Sequence, residues 1–306
     1  MITQIPVLFC ALILDRICGD PKTSLHPVAL IGRFIGWWGR PELYPPAFQR
    51  SVGILGWFIT VFIFTITFAL FQVLAPWYLY LLCAPFLLKI CFAWRALEEH
   101  AADVMHALSG EERAQKASLL VSRDTSALNE EQTLSAAFES VAENLNDSII
   151  APLFWFLLLG LAGAAMYRAV NTMDAMLGYT DERRNLGWFA ARMDDILSFI
   201  PARLCGFLLL IIYTLKGRLK PAWHTFIHDR KKRPGFNGGI SISLIAGGEG
   251  VLFEKPGIYQ IGERKTDLRQ AAPSIIKTVR LTILLFCLLA CIALVLLTGA
   301  PKMYGI

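Results

Sequence analysis

Residues 121–155 read VSRDTSALNEEQTLSAAFESVAENLNDSIIAPLFW, and this stretch decides the fold because a polar helix runs directly into an apolar segment. Asn129, followed three residues later by Gln132, predicts a helix start with a capping box. Beyond that start, apolar residues recur at helical spacing and predict one buried stripe, formed by Leu134, Phe138, Val141, Leu145 and Ile149.

The opposite side of this helix is polar. Glu139, Glu143 and Asn146 fall there one turn apart, with Asp147 at the edge. Carboxylates at positions i and i+4 repel each other unless a cation or a cationic partner lies between them. The spacing fits a solvated helix face as well as a cation site, so both interpretations stay open.

The composition predicts an integral membrane protein. Of the 306 residues, 55% are hydrophobic, and the mean hydropathy is +0.51. The net charge of +5 comes largely from one basic segment, which fits positive-inside anchoring and argues against nucleic-acid binding. Seven single cysteines form no CxxC pair, so the sequence suggests neither a disulfide framework nor a thiolate metal site.

The hydropathy pattern predicts an all-α, polytopic helical membrane protein with amphipathic and interfacial helices, in which residues 1–306 form a single integral membrane domain. The apolar N-terminal run is interpreted as a retained membrane helix. The segment 149–165 contains Pro152 and Gly160 and is barely long enough to span, so we expect it to be re-entrant or interior. The expected spans are approximately 51–73, 77–92, 196–215 and 281–298.

Two polar segments interrupt the apolar ones. Residues 96–148 have the pattern of an amphipathic helical polar segment, and 216–280 are predicted to form a basic cytoplasmic loop. Within that loop, residues 235–253 (GFNGGISISLIAGGEGVLF) match no phosphate-binding glycine pattern and predict a flexible loop beside a ligand, or simple turns. His224 and His228 have ligand-pair spacing, but no third ligand is evident.

Arginines and carboxylates alternate in two later stretches. YRAVNTMDAMLGY at 167–179 contributes Arg168, Asn171 and Asp174, and RMDD at 192–195 contributes Arg192 and Asp195. Oxygen ligands hold a hard cation and guanidinium groups grip phosphate oxygens, so this mixture fits a phosphate-handling, divalent-metal site. Salt bridges at the membrane edge are the alternative interpretation.

Several of these stretches together resemble one known family. DRICGDPKTSLHPVALIGR, SRDTSALNEE, ESVAENLNDSIIAPLFW, YRAVNTMDAMLGY and RMDDILSFIPARL, between about Leu14 and Leu204, are similar to the adenosylcobinamide-phosphate synthase family (CobD/CbiB) of cobalamin biosynthesis. The resemblance implies an ATP- and Mg²⁺-dependent ligase in a bacterial cytoplasmic (inner) membrane, spanning it several times. Such an enzyme joins aminopropanol, or its phosphate, to the propionate carboxyl of adenosylcobyric acid by an amide bond.

The resemblance also implies site residues. It carries the family motifs onto a larger set that includes Pro27, Asp194 and Arg203. The expected metal ligands are Glu139, Glu143 and Asp147. The expected catalytic residues are His26, Asp124, Glu139, Glu143 and Asp174. The expected substrate-binding residues are Asp20, Ser122, Arg123, Thr125, Ser126, Asn144, Arg168, Asn171, Arg192, Asp195 and Asn237.

One segment departs from the family pattern. Where the family has a segment like NAGWPEAAMAGAL, this chain has FNGGISISLIAGG, which keeps Asn237 and Gly238 but lacks the Pro-Glu pair. We expect Glu249 or Glu254 to supply the missing carboxylate. A corrinoid-binding or AmpE-like regulatory membrane protein and a transporter are the alternatives to a synthase. The expected partners are the substrates, the bilayer and other late cobalamin-assembly enzymes, with no nucleic acid.

Overall fold

A computed structural model describes residues 3–19, 27–121 and 124–299. Short 3-10 turns at Pro41–Leu43 and Glu182–Arg184 and a π-helical turn at Leu145–Ile150 separate some of its elements. The helices and strands follow the order α1 (Gln4–Cys18), α2 (Pro27–Trp38), α3 (Gln49–Leu74), α4 (Trp77–Lys89), α5 (Trp94–Met105), α6 (Gly110–Ala117), α7 (Glu130–Asn144), α8 (Ala151–Leu159), α9 (Leu161–Leu177), α10 (Trp188–Leu197), α11 (Phe199–Leu215), α12 (Leu219–Asp229), α13 (Gly238–Glu249), β1 (Leu252–Lys255), β2 (Tyr259–Gly262) and α14 (Leu268–Gly299).

The predicted all-α class is confirmed. Within the described ranges, strands occur only as the antiparallel hairpin of β1 and β2, in which Phe253 pairs with Ile261. Three segments are long and apolar enough to cross a membrane: Gln49–Leu74, Trp77–Met105 and Leu268–Leu297. A fourth candidate requires α10 and α11, separated by Ser198, to act as one span. The protein is therefore helical with the apolar segments of a membrane protein.

The chain divides into two compact units, each assembled from separate stretches. The first unit contains α1–α4, α8–α10 and the end of α14. The second contains α5–α7 with the π-helical turn, α11–α13, the hairpin and the start of α14. The predicted polar helix of residues 130–144 and the basic segment after residue 216 belong to the same, second unit.

The core of the first unit forms around α9. Val170, Met173 and Leu177 on α9 pack with Ile35 of α2 and Trp57 of α3, all of them buried. Small residues on α9 permit close helix approach, since ridges of one helix fit into grooves of the next. The stretch YRAVNTMDAMLGY therefore has an apolar face that forms the core of this unit.

The segment 149–165 does not form one span. The nine-residue helix α8 ends at Leu159. Gly160, with a φ of +68°, then caps the start of α9. Nine helical residues extend only about 14 Å, roughly half the ~30 Å thickness of a hydrocarbon core. Pro152 and Phe156 are buried, and the Gln4 amide donates to the Phe156 carbonyl at 3.0 Å. The expectation that this segment is not a simple span therefore agrees with the break at Gly160, although Leu158 and Leu159 at the end of α8 are exposed.

The segment 216–280 is not a loop. Its first half forms α12 and α13, then the hairpin follows, and α14 begins at Leu268 rather than near residue 281 as the hydropathy pattern predicts. The glycine-rich stretch, predicted as a flexible loop or turns, is the buried helix α13. A Cβ on Gly239 would overlap the backbone oxygen of Arg230, and one on Gly248 would overlap the Tyr213 ring. Tight packing against α11 and α12 thus outweighs the low helix propensity of glycine.

This packing predicts an effect of Gly239→Ala on stability. Because the added methyl group meets backbone rather than a flexible side chain, we expect a loss of about 1–3 kcal/mol in the free energy of unfolding. Gly110→Ala is the matched control, since Gly110 begins α6 and a Cβ there meets open space. Thermal unfolding in detergent measures both variants. Equal stabilities of the two would contradict the close approach of α13.

Candidate functional site

Helix α7 begins as predicted. The Asn129 side chain accepts from the Gln132 N–H at 2.9 Å, while Gln132 accepts from the Asn129 N–H at 3.3 Å, which completes the capping box. The polar side of α7 does not face solvent, because Glu139 is only 7% exposed. The interpretation as a solvated helix face is therefore wrong for Glu139. Within this unit α7 packs against α5, α6, α13 and β1.

Two side chains from the C-terminal half of the second unit meet the α7 carboxylates. The Arg233 guanidinium forms a salt bridge with Glu143, and the Tyr259 hydroxyl donates to Glu139. Arg233 lies in the turn between α12 and α13, and Tyr259 begins β2. Carboxylates at i and i+4 need a cationic partner, and here Arg233 provides it.

The electrostatics of this cluster keep both partners protonated. Burial lowers the pKa of Arg233, but the negative charges of Glu143, Asp147 and Glu139 outweigh burial, so its pKa lies above the ordinary value. Burial, followed by the negative charge of Glu139, raises the pKa of Tyr259 well above the usual range of a phenol. At neutral pH the site therefore presents a guanidinium and a neutral phenol to a group of carboxylates.

The π-helical turn after α7 places two further oxygens near this cluster. Asn146 is 4% exposed, and its amide nitrogen donates to Asp147 at 2.6 Å. Within the described residues, the Asn146 Oδ1 atom is buried without a hydrogen-bond partner. A buried amide oxygen without a donor costs about 1–3 kcal/mol, so a ligand or water that satisfies it gains that energy. Widened helical turns of this type occur frequently at functional sites.

Asn144, which the resemblance predicts to bind substrate, is hydrogen-bonded within this turn. Its Nδ2 donates to the Ser140 carbonyl and hydroxyl, each at 3.0 Å, and its Oδ1 accepts from the Ser148 hydroxyl at 2.6 Å. With its amide used in this way, Asn144 acts on the site by holding the backbone that carries Asn146 and Asp147. Its binding of substrate stays a prediction.

Other predicted residues of the second unit lie at its periphery. Asp124 is exposed and accepts from the Ser126 N–H at 2.9 Å, and this backbone hydrogen bond lowers the pKa of its carboxyl. Thr125 is buried and donates its hydroxyl to the Ala114 carbonyl at 2.7 Å. The buried Asn237 accepts from Arg203 at 2.6 Å beside the turn that carries Arg233.

The remaining described candidates belong to the first unit. The Asn171 amide donates to Asp194 at 3.4 Å, and Arg192 lies 4.0 Å from Asp195 at the exposed surface of α10. Arg168 borders a small apolar cavity with Phe64, Phe68 and Cys91 among its lining residues. Asp174 lies one turn before Gly178, where any Cβ would overlap its carboxylate. The predicted Asp20, His26, Ser122 and Arg123 lie outside the described residues.

The magnesium site stays a prediction. In the described ranges, no group of three or more His, Cys, Asp and Glu side chains is close enough to hold a metal ion. Magnesium in nucleotide-dependent enzymes, however, is usually held by one or two carboxylates together with substrate phosphates. Asp147 and the unsatisfied Asn146 oxygen are the oxygen donors that fit such a shared site. The predicted ligands Glu139, Glu143 and Asp147 all have hydrogen-bonded partners, and the partner of Asp147 is the Asn146 amide itself.

Sequence patterns missed Arg233 and Tyr259. Arg233 is the last residue of a basic run whose other members fit membrane anchoring, and nothing in the run distinguishes it. Tyr259 lies 120 residues from its partner Glu139. It belongs to a β-hairpin, whereas the sequence predicted a loop for this segment. The only available signal was the α7 carboxylate pair itself, which required a cationic partner from elsewhere in the chain.

These features define a class: a helical membrane protein with a partly buried cluster of carboxylates, amides and one arginine. The family model described as CobD/Cbib protein matches residues 8–295 of this chain. The chain therefore belongs to the CobD/CbiB family of cobalamin biosynthesis, as the sequence resemblance implies. No solved structure matches it.

Relatives from archaea and bacteria agree with this assignment. A probable cobalamin biosynthesis protein CobD from Methanothermobacter thermautotrophicus is 38% identical, over 94% of this chain and 97% of that protein. One from Thermococcus kodakarensis is 41% identical over 82% of each chain. The cobalamin biosynthesis protein CobD from Dehalococcoides mccartyi is 35% identical over 88% of this chain and 89% of its own length.

Proposed function

We propose that this protein is an adenosylcobinamide-phosphate synthase. It forms an amide bond between aminopropanol, or its phosphate, and the propionate carboxyl of adenosylcobyric acid, at the expense of ATP. The observation that carries this proposal is the cluster of Arg233 with Glu139, Glu143 and Asp147 in a member of a cobalamin-biosynthesis family. ATP, magnesium and a cytoplasmic membrane location belong to the proposal.

The reaction needs activation of a carboxylate. Transfer of the γ-phosphoryl group from ATP to the propionate gives an acyl phosphate, and attack by the amine then releases phosphate as the amide forms. Asp147 and the Asn146 amide oxygen would hold Mg²⁺, which would supply charge neutralisation on the phosphate oxygens. The residues of this chain orient the reactants around that transfer.

Arg233 is the group we propose to contact the phosphoryl oxygens. Its planar guanidinium presents donors in a fork that matches two phosphate oxygens, and its raised pKa keeps it charged at every physiological pH. In the structure the Arg233 Nη2 atom pairs with Glu143, while Nη1 donates to the Pro234 carbonyl at 2.9 Å. An incoming phosphate competes for Arg233, and the released Glu143 carboxylate then becomes available to accept the proton of the attacking amine.

A transporter is the less favoured alternative. Carriers place polar residues on broken helices near the bilayer midplane. The carboxylate cluster instead lies on α7, the turn before α13 and the hairpin, none of which belongs to a candidate span. That location favours chemistry on a soluble nucleotide at the membrane surface.

Genetic complementation tests this proposal. A bacterial strain that lacks the synthase step is given the gene and grown with cobyric acid as the corrinoid source. We expect cobalamin-dependent growth with the wild-type chain and none with the Arg233→Lys variant, because Lys keeps the charge but loses the fork. Lys232→Gln, which removes an exposed neighbouring charge paired with Asp229, is the matched control and should restore growth. Absence of growth with well-expressed wild-type protein would contradict the proposal.

A further inference from the structure

Helix α12 has three distinct faces. Its buried face consists of Ala222, Thr225 and Asp229, and the Asp229 carboxylate accepts from the Gly262 N–H of β2 at 2.8 Å. In the second unit this helix packs against α11, α13 and β2. Among the described residues of this unit, no helix or strand covers the remaining sides of α12, so the composition of those sides indicates what they contact.

An apolar stripe follows the second face. Leu219, Trp223 and Ile227 recur at i, i+4 and i+8, and they are 38%, 47% and 46% exposed. Scattered exposed apolar residues need no explanation, but three in one helical row form a continuous strip. The middle member is tryptophan, which is enriched at membrane–water interfaces because its ring is apolar and its N–H remains solvated.

The flanks of this stripe are basic. Lys220 and Lys231 are exposed, and the Arg230 guanidinium lies 4.6 Å above the Phe226 ring. Asp229 is the acidic residue of α12, and it is buried, so the exposed surface of the helix carries no carboxylate. An apolar face with Lys and Arg beside it is the pattern of a helix that lies in the plane of an anionic membrane surface.

The preceding helix leads the chain to such a surface. Helix α11 is half of a candidate span, and its last residue, Leu215, is 79% exposed. Gly217, with φ of +68°, then turns the chain into α12. A left-handed residue of this kind ends a helix sharply and costs little at glycine. Continuity with α11 therefore distinguishes a bilayer from a soluble partner as the occupant of the stripe.

We propose that α12 is a lipid-binding interfacial helix. Leu219, Trp223 and Ile227 enter the boundary between headgroups and acyl chains, to a depth of about 5–10 Å. Lys220 and Lys231 bind the phosphate groups of anionic phospholipids at the same level. Because α13 packs on the opposite side of α12, a bound membrane surface steadies the turn that carries Arg233.

Site-directed fluorescence tests this proposal on the full chain. Cys10, Cys18, Cys83 and Cys291 are replaced by Ser, while the three buried cysteines stay, and the parent protein is labelled in parallel to subtract background. A polarity-sensitive probe is attached to Ile227→Cys or, as the matched control one residue further on, to the exposed His228→Cys. Each protein is placed in nanodiscs of phosphatidylcholine alone or with one-quarter phosphatidylglycerol.

Two quenchers then report the environment of each probe. We expect acyl-chain-brominated lipid to quench the Ile227→Cys probe several-fold more than the His228→Cys probe, and aqueous iodide to show the reverse order. Phosphatidylglycerol should strengthen the lipid quenching, and Lys220→Gln with Lys231→Gln should remove that increase. Equal iodide quenching at both positions would overturn the proposal. Lipid-independent shielding that rises with protein concentration would also overturn it, since it would assign the stripe to a second copy of the chain.

Discussion

The double variant Glu139→Gln/Glu143→Gln is expected to lose about 10²-fold or more of the amide-forming rate, while it still inserts and folds. Gln keeps the shape and one acceptor oxygen of each side chain, so Tyr259 and Arg233 retain hydrogen-bond partners. The variant removes two negative charges from the cluster that surrounds the proposed phosphate and amine groups. The rate of ADP formation with all substrates present measures the loss.

The first turn of α7 provides the matched control. Glu131 lies on the same helix, and its more exposed carboxylate pairs with Arg264. Exposed ion pairs contribute about 0–1 kcal/mol to stability, so Glu131→Gln should retain nearly full activity. If the double variant and Glu131→Gln both turned over at the wild-type rate, the α7 cluster would not be the active site.

The second large effect concerns stability and Glu249. This carboxylate is 1% exposed and pairs with Lys216 at 2.8 Å and with Arg218 at 3.0 Å. It also accepts from the Thr278 hydroxyl at 2.7 Å. Glu249 therefore connects α13 to the α11–α12 turn and to α14. The expectation that Glu249 supplies a catalytic carboxylate assumed a flexible loop, whereas the structure shows a helix there.

Glu249→Ala should cost about 3–5 kcal/mol of unfolding free energy, because it leaves Lys216 and its neighbours without their buried counter-charge. Glu263→Ala removes an exposed partner of Lys265 and should leave the free energy of unfolding nearly unchanged. Chemical denaturation in detergent compares the two. Similar small losses for both variants would show that the buried network contributes little.

The pH dependence of this effect has a definite sign. Burial raises the pKa of Glu249, but hydrogen bonds from Lys216, Ser274 and Thr278 outweigh it, and the pKa lies below the ordinary value. A lowered folded-state pKa stabilises the fold above the unfolded pKa of about 4.3, and this contribution disappears as the pH falls through the folded value. The difference in melting temperature between wild type and Glu249→Gln should therefore be constant near pH 7 and shrink in acid.

Local patterns in the sequence predicted much of the helical framework. The capping box at Asn129 and the span Gln49–Leu74 follow from short-range chemistry and hydropathy, which neighbouring residues determine. Helix α13 could not be recognised in this way, because its glycines oppose helix formation and only contact with Arg230 and Tyr213 explains them. Tertiary packing supplied the information that the local sequence lacks.

The candidate site shows the same division. The i, i+4 carboxylates of α7 were visible in the sequence, and so was their need for a positive partner. Their actual partners, Arg233 and Tyr259, come from segments 90 and 120 residues away. The spacing of residues within a helix contains no information about such long-range pairs. Asn144 shows the same limit, since the motif did not reveal that its amide is hydrogen-bonded to Ser140 and Ser148 within the backbone turn.

The most direct test of the proposed synthase is a reconstituted reaction. Purified protein in nanodiscs is incubated with adenosylcobyric acid, aminopropanol phosphate, ATP and Mg²⁺, and mass spectrometry follows the corrinoid. We predict a product heavier than adenosylcobyric acid by the aminopropanol phosphate less one water. Its formation should match ADP release in amount and should be absent with the Glu139→Gln/Glu143→Gln protein. Unchanged corrinoid mass with folded wild-type protein, given either free or phosphorylated aminopropanol, would contradict the assignment.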